Sequence, residues 1–169
     1  MSSILKVSEI QDPTNGNTAL SIDSSGRVLK PNQICFSAYH SANIAHGSAV
    51  NVDIVYNTTR FKVGNDYSTS TGIFTVPTGC AGKYLVNCSG MFMDETSFTF
   101  IFLAVRVNDV TKQEFMASGR NNYSTVNGSM LLDLSVGDEV NIYSGTNGVD
   151  AGYWRGGDNF NLFDMYYLG

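Results

Sequence analysis

The run Tyr153-Trp154-Arg155-Gly156-Gly157-Asp158 combines the residue types best suited to chemistry at a surface. Aromatic rings offer flat apolar faces to sugars, and arginine and aspartate offer directional hydrogen bonds. On a glycine-rich connection from Ser144 to Asn159, the run reads as a platform for a glycan, with Tyr153, Trp154, Arg155 and Asp158 as contacts. The alternative puts Trp154 at a subunit boundary or the end of the domain, and large aromatics take such buried places more often.

Asp150 and Asp158 flank the run, but no ligand-dense spacing accompanies them, so solvated turn carboxylates are expected rather than calcium ligands. Asp94 and Glu95 are adjacent, whereas carboxylates that cleave a glycosidic bond must face each other across a cleft; a turn-capping role is expected. Serine, histidine and aspartate are present without a GxSxG elbow. His40 and His46 lack nearby cysteines or HExxH spacing. Cys35, Cys80 and Cys88 form no CxxC pair, and an odd count argues for buried reduced thiols. No catalytic residue, metal or cofactor is expected.

The elements that would position these residues are strands. The chain has 169 residues, of which 17 are glycine, 12% are aromatic and only 15% are charged. Helix-forming runs are missing, which points to an all-β sandwich or barrel. A net charge of −5 argues against a sequence-independent grip on nucleic acid, which needs a basic face. The longest apolar run, Phe100 to Val105, is too short to span a bilayer. The first residues lack the apolar core of a secretory signal, so synthesis in a reducing cytoplasm is expected.

Ile4 to Ile10, Ala19 to Ile22 and Arg27 to Lys30 are short β-prone pieces that cannot bury a core alone. Residues 1–31 therefore read as an arm that docks or intertwines, and 32–169 as the head. In the head, Ile34, Phe36 and Ala38 alternate, as do Val50, Val52, Ile54 and Tyr56. The stretch Gly72 to Phe92 reads as a strand end, a Pro77/Gly79 turn and a long strand, hairpin-like, with Tyr84, Val86, Cys88, Gly90 and Phe92 on one side. Asn57 to Thr71 reads as a polar, turn-rich connection. Phe98 to Val107, Lys112 to Ser118, Val126 to Leu134, Val140 to Ile142 and Phe160 to Leu168 supply further strands. About eight to ten strands in all suit a jelly roll. The last strand is apolar on both faces, Phe160, Leu162 and Tyr166 on one and Phe163, Met165 and Tyr167 on the other. One face would fill the sandwich and the other a neighbouring copy about a three-fold axis.

Ile34-Cys35-Phe36-Ser37-Ala38, Val55-Tyr56-Asn57, Asn65-Asp66-Tyr67, Thr71 to Pro77, Gly82-Lys83-Tyr84, Gly128 to Leu134 and Val136 to Val140 together resemble the complement-type globular head and tumour-necrosis-factor superfamily of trimeric jelly rolls. The resemblance spans about residues 33–168. It departs at Thr78 to Ala81, inserted in the family's tight turn, and at Phe163 to Leu168, where a closing glycine is missing. Ser3 to Gln11 and Leu20 to Leu29 resemble N-terminal segments of tail-fibre and other virion proteins of marine tailed bacteriophages.

These resemblances imply a non-enzymatic homotrimer on the virion surface, assembled in the host cytoplasm. The head would be a tail-fibre tip that attaches to the host. Phe163, Met165 and Tyr167 are the expected trimer-interface residues. Ile4, Leu5, Val7, Ile10, Leu20 and Ile22 are expected to dock onto other virion proteins. A capsid decoration knob is the alternative. A polysaccharide-degrading tailspike ranks last, because no paired-carboxylate cleft is visible.

Overall fold

The computed structural model describes residues 6–47, 51–94, 99–118, 122–147 and 151–169. Among them every regular element is a strand. The chain divides into two compact units, residues 1–34 and 35–169.

The first unit is a three-stranded antiparallel sheet of β1 (Glu9–Gln11), β2 (Thr18–Ile22) and β3 (Val28–Leu29). Its turns are closed by aspartates whose short carboxylates accept nearby backbone N–H groups. Asp12 accepts from Thr14 at 2.7 Å, and Asp23 accepts from Ser25 at 2.9 Å and Arg27 at 3.0 Å. Register pairs Ile10 with Leu20 and Ile22 with Val28, which places these four on one face. Ile10, Ile22 and Val28 remain exposed there. Of the residues expected to dock, Val7, Ile10, Leu20 and Ile22 line one shallow apolar groove. Ile4 and Leu5 lie outside the described residues.

The second unit contains β4 (Cys35–Tyr39), β5 (Ile44–Gly47), β6 (Val52–Ile54), β7 (Thr58–Val63), β8 (Tyr67–Ser68), β9 (Ile73–Thr75) and β10 (Gly82–Asp94), and then β11 (Phe100–Val107), β12 (Val110–Ala117), β13 (Asn122–Leu134), β14 (Glu139–Asn147), β15 (Ala151–Trp154) and β16 (Asn161–Tyr167). They form a jelly-roll sandwich. One sheet has seven strands in the order β5-β15-β10-β16-β4-β7, with β13 on the free side of β10; the other has six in the order β12-β11-β14-β9-β8, with β6 also on β14. The strand pieces outnumber the expected ten for three reasons. The segment after Tyr39, expected as a polar loop over 43–48, holds β5, the polar segment 57–71 holds β7 and β8, and the glycine-rich segment 144–159 holds the end of β14 and all of β15. Backbone pairing to a neighbour, not side-chain periodicity, makes those segments strands.

β10 is the middle of the larger sheet. β13 runs along one edge for its full length, while β15 and β16 share the other in succession. Tyr84, Val86, Cys88 and Phe92 all point inward and are buried, as their alternation predicts. The stretch around Pro77 is not a hairpin. β9 pairs with β8 and β14, so Val76 to Ala81 carries the chain from one sheet to the other. Gly79 takes φ +83°, and the Tyr84 hydroxyl donates to the Cys80 carbonyl at 2.7 Å, which holds the lengthened turn.

Between the sheets, aromatic rings interlock. Phe36 stacks on Tyr67 at 4.1 Å and meets Phe163 edge-on at 5.0 Å, and Phe74 reaches both Phe36 at 5.7 Å and Tyr84 at 5.6 Å. Each such ring contributes about 1.5–3 kcal/mol by leaving water. The last strand corrects an expectation. Phe163 and Met165, read as interface residues, are 0% and 2% exposed and fill the core. Cross-strand partners share a face, and Phe163 pairs with inward Cys88 and Ala38. Tyr167, half-buried, packs on Tyr84 at 4.9 Å. Leu162 and Tyr166, on the opposite phase, form the outer face with Asp164.

Candidate functional site

Trp154 does not offer its ring to a ligand. It lies on β15 at 1% exposure, because β15 pairs Trp154 with inward Phe92. The two rings meet edge-on at 5.2 Å. Gly90 makes room for the indole: a Cβ there would come within 2.7 Å of it. The indole N–H donates to Ser144 Oγ at 2.8 Å, Ser144 Oγ lies 3.4 Å from His46 Nε2, and Thr146 Oγ1 lies 3.3 Å from His46 Nδ1. Ser144 and His46 are sealed between the sheets at 0% and 2% exposure, which denies this serine–histidine contact any substrate.

Strand alternation sends Tyr153 the other way. It is half-buried, across from Met93, whose other neighbour is exposed Tyr123. Tyr153 and Tyr123 thus border Met93 on the outer face.

Arg155 is spent internally. Its guanidinium lies 3.6 Å from the centre of the Phe160 ring, with Nη1 3.9 Å from Met91 Sδ. The connection after it is held by buried Asn161. Asn161 Oδ1 accepts the His40 N–H at 2.7 Å, and Nδ2 donates to the carbonyls of Arg155 and Gly157 at 2.9 Å each and of His40 at 3.3 Å. Asp158 is exposed, and its carbonyl accepts from Arg60. The four sequence-predicted contacts are therefore not one platform. Tyr153 and Asp158 reach solvent, Arg155 is half-buried, and Trp154 belongs to the core. Asp150, like Glu95, lies outside the described residues. Among the described residues no cluster of three metal-ligating side chains occurs.

The outer face of the larger sheet supplies another feature. Leu131 is 63% exposed and Tyr166 45% exposed, and both are cross-strand neighbours of Leu85. Within this face sits Asp164, whose carboxyl is raised from its ordinary value. Burial is the main cause; a hydrogen bond with the Ser37 side chain and the charge of Arg60 act against it. Sequence reading missed both Asp164 and Asn161. A single acidic residue in an otherwise apolar last strand was the available signal for Asp164. Asn161 carries no such mark, because asparagine beside a glycine-rich loop is ordinary turn chemistry.

The histidines set a pH dependence. Burial pushes both His40 and His46 below the ordinary imidazole value of about 6.5. Their neutral forms are favoured in the fold, so the stability they contribute is present above pH 6.5 and lost as pH falls towards the depressed values. Thermal melts should therefore show the midpoint falling between about pH 6.5 and 5, and a buried His46→Gln variant should show a shallower fall. An unchanged slope in that variant would remove His46 from the account.

Comparisons with known proteins follow the same division of the chain. The model of the C1q domain matches residues 35–163. No curated protein sequence matches the chain. Among solved structures, the globular domain of zebrafish complement 1qA protein aligns with a TM-score of 0.59 at 16% identity, covering 81% of this chain and 98% of that one. Murine APRIL at pH 8.0 aligns at 0.62 and 12% identity, covering 80% and 99%. Eiger TNF from S. frugiperda aligns at 0.63 and 13% identity, covering 82% and 94%. At these identities the likeness speaks to the fold.

Proposed function

Because the chain belongs to the C1q domain family, we propose that it is a non-enzymatic virion structural protein of a tailed bacteriophage, a homotrimer whose head attaches the particle to the host surface. The observation that carries this reading is the pairing, on one chain, of a C1q-type head with a leader similar to tail-fibre segments. The leader is built as a separate small sheet with an exposed apolar face. Such a face suits docking onto other virion proteins through Val7, Ile10, Leu20 and Ile22.

Three heads on one axis would convert weak single contacts into firm attachment, because the second and third contacts form at high effective concentration. Tyr153 and exposed Asp158 are the remaining contacts for a surface glycan or protein of the host; Trp154 serves by holding β15 in place.

Labelling intact particles with an antibody to the head tests the location. Label at the tail tip is the expected result, and label on the icosahedral shell would replace attachment with capsid decoration. Attachment itself is tested with the purified full chain, which is expected to bind host cells saturably and to compete with the particle for adsorption. Tyr153→Ala should weaken cell binding about 10-fold or more at unchanged mass and circular dichroism. Undiminished binding would remove Tyr153 from the contact surface.

A further inference from the structure

The outer face of the seven-stranded sheet carries a half-buried carboxylate that no group among the described residues fully satisfies. Asp164 stands between Asn87 of β10 and Ser37 of β4, with Leu162 and Tyr166 before and after it on the same side of β16. The Ser37 side chain is hydrogen-bonded to the carboxyl. The Oδ1 atom is buried and has no hydrogen-bond partner.

The nearby cation is committed elsewhere. Arg60 donates from Nη1 to Ser37 Oγ at 3.2 Å and from Nη2 to the carbonyls of Asn161, at 3.2 Å, and Asp158. Lys83, at the far margin of the face, lies 3.8 Å from Asp133. Around Asp164 the other titratable groups of this face are Cys35 and Tyr39 on β4 and Tyr166 on β16; Tyr123 on β13 and Tyr153 on β15 lie at its other end, beside Met93. A carboxylate with an orphan oxygen is tolerable while water reaches the rest of it. Cover the face with a second protein surface and an ionised group would lose that water, at a cost larger than that of taking up a proton.

We propose that Asp164 takes up a proton from solvent as copies of the head meet over its end of this face, around Leu131 and Tyr166 and away from Tyr153, so that assembly is linked to pH. The occupant is a second copy, because Leu131 and Tyr166 are exposed on this face, the last strand is apolar on both faces, and the head belongs to a family of trimeric jelly rolls. Burial has already raised this carboxyl in the single chain, which is the direction further covering would extend. The inference rests on the homotrimer reading and adds its surface and its control.

The test uses the full chain, whose mass is followed against concentration between pH 8.5 and 5.5, with circular dichroism monitoring the fold. A trimer that stays intact at the lowest concentrations is read by subunit exchange between two dye-labelled populations. With one proton taken up per chain, the half-assembly concentration should fall by up to about 30-fold for each unit of acidification, and exchange should slow. Asp164→Asn, which keeps the shape and removes the titration, should assemble across the range with less than about 2-fold change. Leu131→Arg, on the same face, should prevent assembly while leaving circular dichroism intact.

An equal pH slope in Asp164→Asn would overturn the proton linkage. So would assembly that weakens on acidification and loses this trend in the variant, a pattern that indicates a donor or cation from the neighbouring copy. Normal assembly of Leu131→Arg would overturn the choice of face. A wild-type chain that is monomeric throughout would instead remove the trimer reading, and this inference with it.

Discussion

Trp154→Ala is expected to cost the head about 3–5 kcal/mol of folding free energy. That is a large share of the roughly 5–15 kcal/mol available to a domain. The indole is 1% exposed, packs edge-on against Phe92 at 5.2 Å and covers Gly90 on the neighbouring strand. Its removal leaves a cavity the sheets cannot close, because β15 and β16 both pair with β10 and neither moves without breaking that ladder. It also deprives Ser144 Oγ of its 2.8 Å donor inside the His46–Thr146 group. Trp154→Phe keeps most of the volume and loses the N–H, so about 1–2 kcal/mol is expected there. Urea titration followed by circular dichroism measures both. A loss below about 1 kcal/mol for the alanine variant would contradict the buried assignment. The comparison also guards the functional reading, since loss of host binding in the alanine variant would report unfolding, whereas the phenylalanine variant tests contact.

Asn161→Ala is expected to cost about 3 kcal/mol or more, since each buried group left unpaired costs about 1–3 kcal/mol. One side chain serves both the His40 N–H and carbonyl and the carbonyls of Arg155 and Gly157, tying the start of β16 to the end of β4 and to the loop between β15 and β16. Asn161→Asp should be worse than its near-identical shape suggests. The acceptor towards the His40 N–H survives, but a carboxylate then faces the three carbonyls that the amide had served. Hydrogen exchange supplies the local readout. The Gly157 N–H, bonded to the His40 carbonyl at 2.9 Å, and the Gly156 N–H, bonded to Asn43 Oδ1 at 2.9 Å, should lose protection before the β10–β13 ladder does. Protection lost everywhere at once would mean that Asn161 supports the whole sandwich, not the loop.

These two residues also show how far the residues alone could lead. Alternation along β10 and β13 was legible because one face of each strand is apolar and the other is not, so period and phase both follow from hydrophobicity. The family resemblance rests on those same strands and on the turns between them. β15 was not legible. Ala151 to Trp154 is a short piece in a glycine-rich segment, and its strand character comes from pairing with β5 and β10, both distant in the chain. As a loop, the segment would make Tyr153, Trp154 and Arg155 neighbours on one surface. As a strand it points Tyr153 and Trp154 to opposite sides of the sheet.

The amino-acid sequence by itself determined the all-β class, the jelly-roll architecture, the inward phase of β10 and the family of the head, because each depends on patterns local enough to read from consecutive residues. The phase of β16 was decided only by the tertiary structure. Leu162 and Tyr166 on one side and Phe163 and Met165 on the other are equally apolar, so hydrophobic alternation contains no information about which set faces the core. Pairing between β10 and β4 supplies it: Phe163 must share the side of Cys88 and Ala38. That one choice buries Phe163 and Met165, turns Leu162 and Tyr166 outward, and sets Asp164 on the face where its unpaired oxygen acquires a meaning.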